Sequence, residues 1–261
     1  MILIFGGTTE GRIAIQTLEE AGKTFYYSTK GDEQDVLLHN GIRLQGAMDA
    51  IEIETFCAQH HIKLLIDAAH PFATQLHETL EQVSVESNIP VIRFERIFPE
   101  RDEEHIIWCR DYDDAIEKIQ KEKIFILLAL TGVQTIGKLK PLWQNACCYF
   151  RILDRDSSRK LAREQGFSEK NLYYYTPILL KESGMSGGFC EKVEAARQLG
   201  IRIFAICRPK TSGKFICVNG EHGLRRIVEK HLPDFFPLRS GLTTGTCAAA
   251  AAVAATWDVF N

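Results

Sequence analysis

Between the apolar run Ile2–Phe5 and the first helical pattern stands Phe5-Gly6-Gly7-Thr8-Thr9-Glu10-Gly11-Arg12. Adjacent glycines let a backbone approach a ligand closely, and a helix beginning there offers N–H groups and a partial positive charge to a phosphate. Thr8 and Thr9 add hydroxyl donors, and Arg12 adds a cation one turn in. The spacing departs from G-x-G-x-x-G, since Gly6 and Gly7 adjoin and Gly11 comes late. The same residues also suit a tight strand-to-helix turn with an ordinary cap. Their place at the carboxyl end of a first strand favours a dinucleotide pyrophosphate. The second strand ends Ser28-Thr29-Lys30, two hydroxyls and an ammonium where NAD-binding folds place Asp or Glu on the ribose. That set suits a 2′-phosphate and predicts NADPH, although Asp32 and Glu33 nearby work against it.

Asp67-Ala68-Ala69-His70-Pro71-Phe72 follows another strand. Pro71 biases His70 towards extended backbone, so its imidazole is predicted to project from the strand end as a general acid or substrate contact. A loop histidine bonded to backbone reads equally well. Lys181-Glu182-Ser183-Gly184-Met185-Ser186-Gly187-Gly188 is a second glycine-rich turn, offering Lys181, Ser183 and the amides around Gly187 and Gly188 to an anion. Lys192, Arg208 and Lys214 add positive charge, and Thr131-Gly132 closes a further strand in the same layer. Two such mouths opposed across a cleft would hold a long, anionic ligand pair. No G-x-S-x-G elbow and no G-x-x-x-x-G-K-[ST] loop occurs, and the adjacent Tyr173, Tyr174 and Tyr175 have no Lys four residues on, which disfavours an epimerase or short-chain dehydrogenase.

The elements that must carry these turns are short apolar strands alternating with amphipathic helices. Strands are predicted over Ile2–Phe5, Thr24–Ser28, Ile42–Leu44, Leu64–Asp67 and Val91–Phe94, with helices after Gly11 and over Ala50–His60 and Thr74–Ser87. After a charged cluster around Pro99 the rhythm resumes: Ile106–Cys109, helix Tyr112–Lys121, Ile124–Thr131, helix Val133–Trp143, Cys147–Ile152, helix Ser157–Gln165, Ile178–Lys181, helix Glu191–Leu199, Ile201–Cys207 and a helix near Gly223–His231. Uninterrupted apolar strands alternating with helices predict parallel sheets covered on both faces. The expected fold is α/β, two Rossmann-like doubly wound halves facing a cleft: 1–100 for the nucleotide, 101–236, and a distinct tail 237–261. Leu172–Tyr175 and Ile178–Lys181 both read as strands, yet only Thr176 and Pro177 separate them, too little for a parallel crossover.

Composition narrows the class. The 261 residues are 45% hydrophobic and 25% charged, and 31 Lys+Arg against 34 Asp+Glu give a net charge of −3, which argues against a nucleic-acid face. The eight cysteines show no C-x-x-C and no zinc-ligand spacing and sit mostly in apolar runs, so no metal is expected. The longest apolar run, Cys247–Ala255, is too short for a bilayer, and no signal peptide precedes Ile2-Leu3-Ile4, so no membrane partner and a cytoplasmic home are expected.

Ile-Phe-Gly-Gly-Thr-Thr-Glu-Gly-Arg (4–12), Asp-Ala-Ala-His-Pro-Phe-Ala (67–73), Lys-Glu-Ser-Gly…Gly-Gly (181–188) and Lys192…Glu194-Ala195-Ala196-Arg197 before Ile-Cys-Arg-Pro (206–209) together resemble the precorrin-6A reductase family, cobalt-precorrin-6A reductases included, over roughly 1–232. The resemblance implies an NADPH-dependent reductase that delivers hydride to a tetrapyrrole ring and gives precorrin-6B. A Gly-Pro-Phe-containing segment that the family carries before Ile178 is missing here. Leu238-Arg239-Ser240-Gly241-Leu242-Thr243-Thr244-Gly245-Thr246-Cys247-Ala248-Ala249-Ala250 resembles the opening of cobalt-precorrin-5B methyltransferase, so the tail is expected to be the cut start of a fused partner. The alternative in another class is an NADP(H)-binding redox sensor without chemistry.

Overall fold

A computed structural model describes residues 1–31, 36–152, 156–171 and 178–237. In the first half β1 (Ile2–Phe5), α1 (Thr9–Glu19), β2 (Phe25–Thr29), β3 (Gly41–Gln45), α2 (Ala50–Gln59), β4 (Leu64–Asp67), α3 (Thr74–Ser87) and β5 (Val91–Phe94) alternate as expected. Strand residues point to opposite faces in turn. Ile2 and Ile4 join Tyr27, Ile66 and the α1 residues Ala14, Ile15 and Leu18 on one face. Leu3 and Phe5 join Leu65, Val91, Ile53 and Leu80 on the other. Both faces being covered, the strands carry no polar alternation. Helix starts follow local chemistry: Asp49 and Glu52 form a capping box on α2, and Thr8 Oγ1 accepts from Gly11 N on α1.

The second half holds β6 (Ile106–Cys109), α4 (Tyr112–Lys121), β7 (Ile126–Ala129), α5 (Lys140–Trp143), β8 (Cys147–Phe150), α6 (Asp156–Glu164), β9 (Ile178–Lys181), α7 (Phe189–Gln198) and β10 (Ile203–Ile206). The long helix expected over Val133–Trp143 is instead a 3₁₀ turn, Val133–Thr135, followed by the four-residue α5, whose first turn contains Pro141. Proline has no N–H to continue a preceding helix and is suited to starting a new one. Of the two runs expected as strands on either side of Thr176, Ile178–Lys181 pairs with both β7 and β10; Leu172–Tyr175 lies outside the described residues.

After β10 the chain returns to the first sheet. The run Ile216–Val218 forms β11 beside β5, with Ile216 opposite Ile92 and Val218 opposite Phe94, and α8 (Gly220–His231) sends Leu224 and Val228 into the core under α1 together with Phe235 and Phe236. The second half expected over 101–236 therefore gives up its last segment: residues 216–236 complete the first sheet. Its order becomes β3-β2-β1-β4-β5-β11, the doubly wound order of dinucleotide-binding folds, with the direction of winding reversing between β1 and β4. The second sheet runs β8-β7-β9-β10-β6 and reverses between β7 and β9. All pairings in both sheets are parallel, so the strand ends that carry ligands share one edge of each sheet. Among the described residues no helix is long and apolar enough to cross a membrane.

Candidate active-site cleft

The glycine-rich turn leaves β1 at its reversal point and bends around Tyr27. Gly7 N donates to the Tyr27 hydroxyl at 2.9 Å, and a Cβ on Gly6 would stand only 2.3 Å from Tyr27 Cε2 and 2.5 Å from its hydroxyl. A Cβ on Gly11 would stand 3.1 Å from the Gly6 Cα. Close packing thus accounts for Gly6 and Gly11. Gly7 is different: its φ is +96°, and nothing lies within 4 Å of where its Cβ would be, so its exposed face is open to a ligand. Thr8 is not the phosphate donor expected, because its hydroxyl donates to Ala68 O at 2.7 Å while it caps α1. Thr9 and Arg12 are exposed on the rim.

Gly6, Gly7, Thr8, Thr9, Arg12, Thr29, Lys30, His70 and Gly187 line one cleft of about 540 Å³. The sequence motifs from four strand ends, three in the first half and one in the second, therefore meet. The Thr29 hydroxyl is turned to Gly31 O at 2.7 Å and shapes the turn that presents Lys30; Ser28 is buried, and its carbonyl takes Gly6 N at 3.0 Å. The Thr29 hydroxyl is thus spent on the local backbone, and Ser28 is not among the residues lining the cleft. Asp32 and Glu33 lie outside the described residues.

Two residues that sequence reasoning passed over hold the halves together. Arg96, just past β5, donates from Nε to Glu10 at 2.9 Å and from Nη1 to Ser183 O at 2.7 Å, and Ser186 donates to the other Glu10 oxygen. Both side chains are buried, 6% and 7% exposed. Burial would raise the Glu10 carboxyl, but the Ser186 hydroxyl and the Arg96 guanidinium outweigh it and hold Glu10 below the usual carboxylate range. The available signal was Glu10 itself: a carboxylate in the first turn of a helix meant for an anion needs a cation of its own. The same clamp explains Gly187, where a Cβ would stand 2.6 Å from Ser183 Cβ and 2.9 Å from Arg96 Nη1.

His70 lines the cleft, but as a neutral ring. Nδ1 accepts from Phe72 N at 3.2 Å, leaving the proton on Nε2. Burial, then the charges of Arg96, Lys181 and Arg93, push its pKa down to about 3. It can donate a hydrogen bond; the general acid expected of it would need an imidazolium that these cations oppose. The turn is braced from below by Asp67, fully buried, which accepts from Arg93 at 2.8 Å and contacts His77 Nδ1 at 2.7 Å, while His77 Nε2 reaches His70 O at 3.2 Å. Lys181 sits 5.2 Å over the Phe72 ring, and burial, followed by Lys138, lowers its ammonium to about 8.

The remaining predicted residues divide. Gly132 and Lys192 line a second cleft of about 600 Å³ at the reversal of the second sheet, with Arg151; Lys192 also donates to Gly187 O at 2.8 Å, which ties the two clefts together. Thr131 is buried and hydrogen-bonded to Thr135 at 2.6 Å, and the Ser183 hydroxyl donates to Gly187 O at 3.2 Å, so neither hydroxyl is offered to substrate as expected. Gly188 takes a left-handed φ of +65° at the start of α7. Arg208 is held elsewhere, its guanidinium 3.5 Å over Phe98 and its amide on Glu182; Glu182 is in turn bound by Arg101 at 2.8 Å. Among the described residues no group of three His, Cys, Asp or Glu is placed to hold a metal.

A family model described as Precorrin-6x reductase CbiJ/CobK matches residues 1–178. The cobalt-precorrin-6A reductase of Priestia megaterium is 27% identical over 234 residues, 80% of this chain and 91% of that protein. That of Methanococcus maripaludis is 32% identical over 167 residues, 57% of this chain and 65% of the relative. The precorrin-6A reductase of Rhodococcus erythropolis is 28% identical over 229 residues, 80% and 89% of the two chains. The solved structure of CobK precorrin-6A reductase matches with a TM-score of 0.70 at 18% identity, covering 88% of this chain and 96% of the other, and has the same two-sheet fold.

Proposed function

The chain belongs to the precorrin-6x reductase CbiJ/CobK family, and on that premise we propose that it uses NADPH to reduce the macrocycle of precorrin-6A, or its cobalt form, to the precorrin-6B level. The observation that carries this reading is the cleft at the β1/β4 reversal, where an open glycine face, Arg12 and Lys30 meet the loop Ser183–Gly187 of the other half. When bound, the reduced nicotinamide supplies the hydride. The chain's own part is to hold and orient. The Thr9 amide at the start of α1 and the open face of Gly7 take the pyrophosphate, and Lys30 takes the 2′-phosphate. Lys181 over the Phe72 ring, and Lys192 with Arg151 in the second cleft, take the ring's carboxylates. His70 offers Nε2–H as a neutral hydrogen-bond donor, and the proton that completes the reduction comes from solvent.

The test is loss of the reduced-nicotinamide absorbance when the protein meets NADPH with precorrin-6A, cobalt-free and cobalt-containing in separate runs. Oxidation with one of the two supports the reading; none with either refutes it. A sensor without chemistry would keep its affinity for every ligand in Lys181→Ala, whereas the reductase loses tetrapyrrole affinity and keeps NADPH.

We also propose that the unit 1–100, joined by 216–236, holds the nucleotide, and that the enzyme is cytoplasmic, in keeping with the free thiols of the seven described cysteines. Residues 238–261, proposed as the start of a fused methyltransferase, lie outside the described residues.

A further inference from the structure

Lys192, in the first turn of α7, belongs to both clefts. Its side chain lines the second cleft beside Gly132 and Arg151, while its Nζ donates to Gly187 O at 2.8 Å. Gly187 and its neighbour Ser186 line the first cleft. The same carbonyl takes the Ser183 hydroxyl at 3.2 Å. From this loop the connection continues into the other half: Ser186 donates to Glu10, and Arg96 donates to both Glu10 and Ser183 O. Glu10 stands in the first turn of α1, the helix whose start faces the first cleft. A continuous chain of polar contacts thus runs from the second cleft to the helix end behind the glycine-rich turn.

A lysine ammonium has three N–H donors and no acceptor. Among the described residues Lys192 spends one donor on Gly187 O and pairs with no carboxylate. Burial, then the charge of Arg151, hold its ammonium below the ordinary lysine range. A carboxylate entering the second cleft supplies the missing countercharge and uses the donors left over. Fixing a long, flexible side chain in one rotamer costs entropy. Once the first ligand has fixed it, the Gly187 carbonyl is already held when the second ligand arrives, so the second binds more tightly. We propose that Lys192 is a positioning residue that couples the two clefts: a macrocycle carboxylate on its ammonium orders the loop 183–188 for the dinucleotide, and the dinucleotide orders Lys192 for the carboxylate. The proposal deepens the reductase reading and rests on it.

The experiment uses NADP⁺, which has no hydride to give, so that its complex with precorrin-6A does not turn over. NADP⁺ is titrated calorimetrically into the full chain, alone and saturated with precorrin-6A, and the order is then reversed. In wild type each ligand should tighten the other by the same factor, at least about fivefold. Lys192→Met should bring that factor to within about twofold of one. Arg151→Met lines the same cleft without reaching Gly187; it should weaken precorrin-6A binding and keep the factor. Backbone hydrogen exchange supplies a second readout: precorrin-6A alone should slow exchange over 184–189 in wild type and in Arg151→Met, and leave it unchanged in Lys192→Met. A wild-type factor within about twofold of one, a factor that survives in Lys192→Met, or equal loss in both variants overturns the proposal. Wild-type protein that binds neither NADP⁺ nor precorrin-6A overturns the reductase reading and the coupling with it, whereas binding of both without coupling overturns the coupling alone.

Discussion

Arg96→Met keeps most of the side-chain volume and removes the guanidinium that clamps the two halves. Glu10 would then remain buried without its countercharge, and Ser183 O would lose its donor at 2.7 Å. Breaking a buried ion pair from one side costs about 3–5 kcal/mol, a large part of a total stability of about 5–15 kcal/mol. With a urea dependence of about 2–3 kcal/mol per molar for a chain of this size, the midpoint should fall by at least about 1 M. The pH dependence carries a sign. The folded Glu10 carboxyl lies below its ordinary value, so its contribution is present above the ordinary carboxylate range and fades as pH falls through the folded value. In the variant the unpaired carboxylate is instead the liability, and protonation relieves it. The gap between variant and wild type should therefore narrow in acid. Urea unfolding followed by tryptophan fluorescence at neutral and acid pH reads both effects, and Glu10→Gln with the double variant gives the coupling directly. A midpoint shift below about 0.3 M, or a gap that stays constant into acid, would refute the clamp.

His70→Gln keeps a donor and should lower kcat only modestly, with no change in the shape of the profile between about pH 5 and 8, since the native ring is already neutral there; a wild-type inflection near neutrality that disappears in the variant would contradict this. Lys181 is charged below about 8 and neutral above it, so KM for the tetrapyrrole should rise above that pH in wild type and stay flat in Lys181→Met. Gly6→Ala pushes a methyl group into the Tyr27 ring, and overpacking of that kind should cost about 1–3 kcal/mol by thermal melting while displacing the Gly7 amide that Tyr27 holds.

Strand and helix rhythm made the doubly wound architecture legible, because strands buried on both faces carry unbroken apolar runs such as Ile2–Phe5 and Leu64–Asp67. The return of β11 was not legible. The run Phe215–Val218 is short, and nothing in its composition says which of two parallel sheets has a free edge. At the site, the motifs at Gly6, Lys30, His70 and Gly187 converge as their strand-end positions imply. Hydroxyls were misjudged at Thr8, Thr29, Thr131 and Ser183, since a Ser or Thr beside a tight turn usually spends its proton on local backbone or a neighbouring hydroxyl. Arg96 was missed because its meaning comes from partners distant in sequence, Glu10 and Ser183.

The most direct measurement is a crystal structure of the chain with NADP⁺. The pyrophosphate is predicted to lie about 3 Å from the Thr9 amide and against the open face of Gly7, with the adenosine end running towards Lys30. A pyrophosphate seated instead between Gly132, Arg151 and Lys192, with the glycine-rich turn after β1 untouched, would contradict the account.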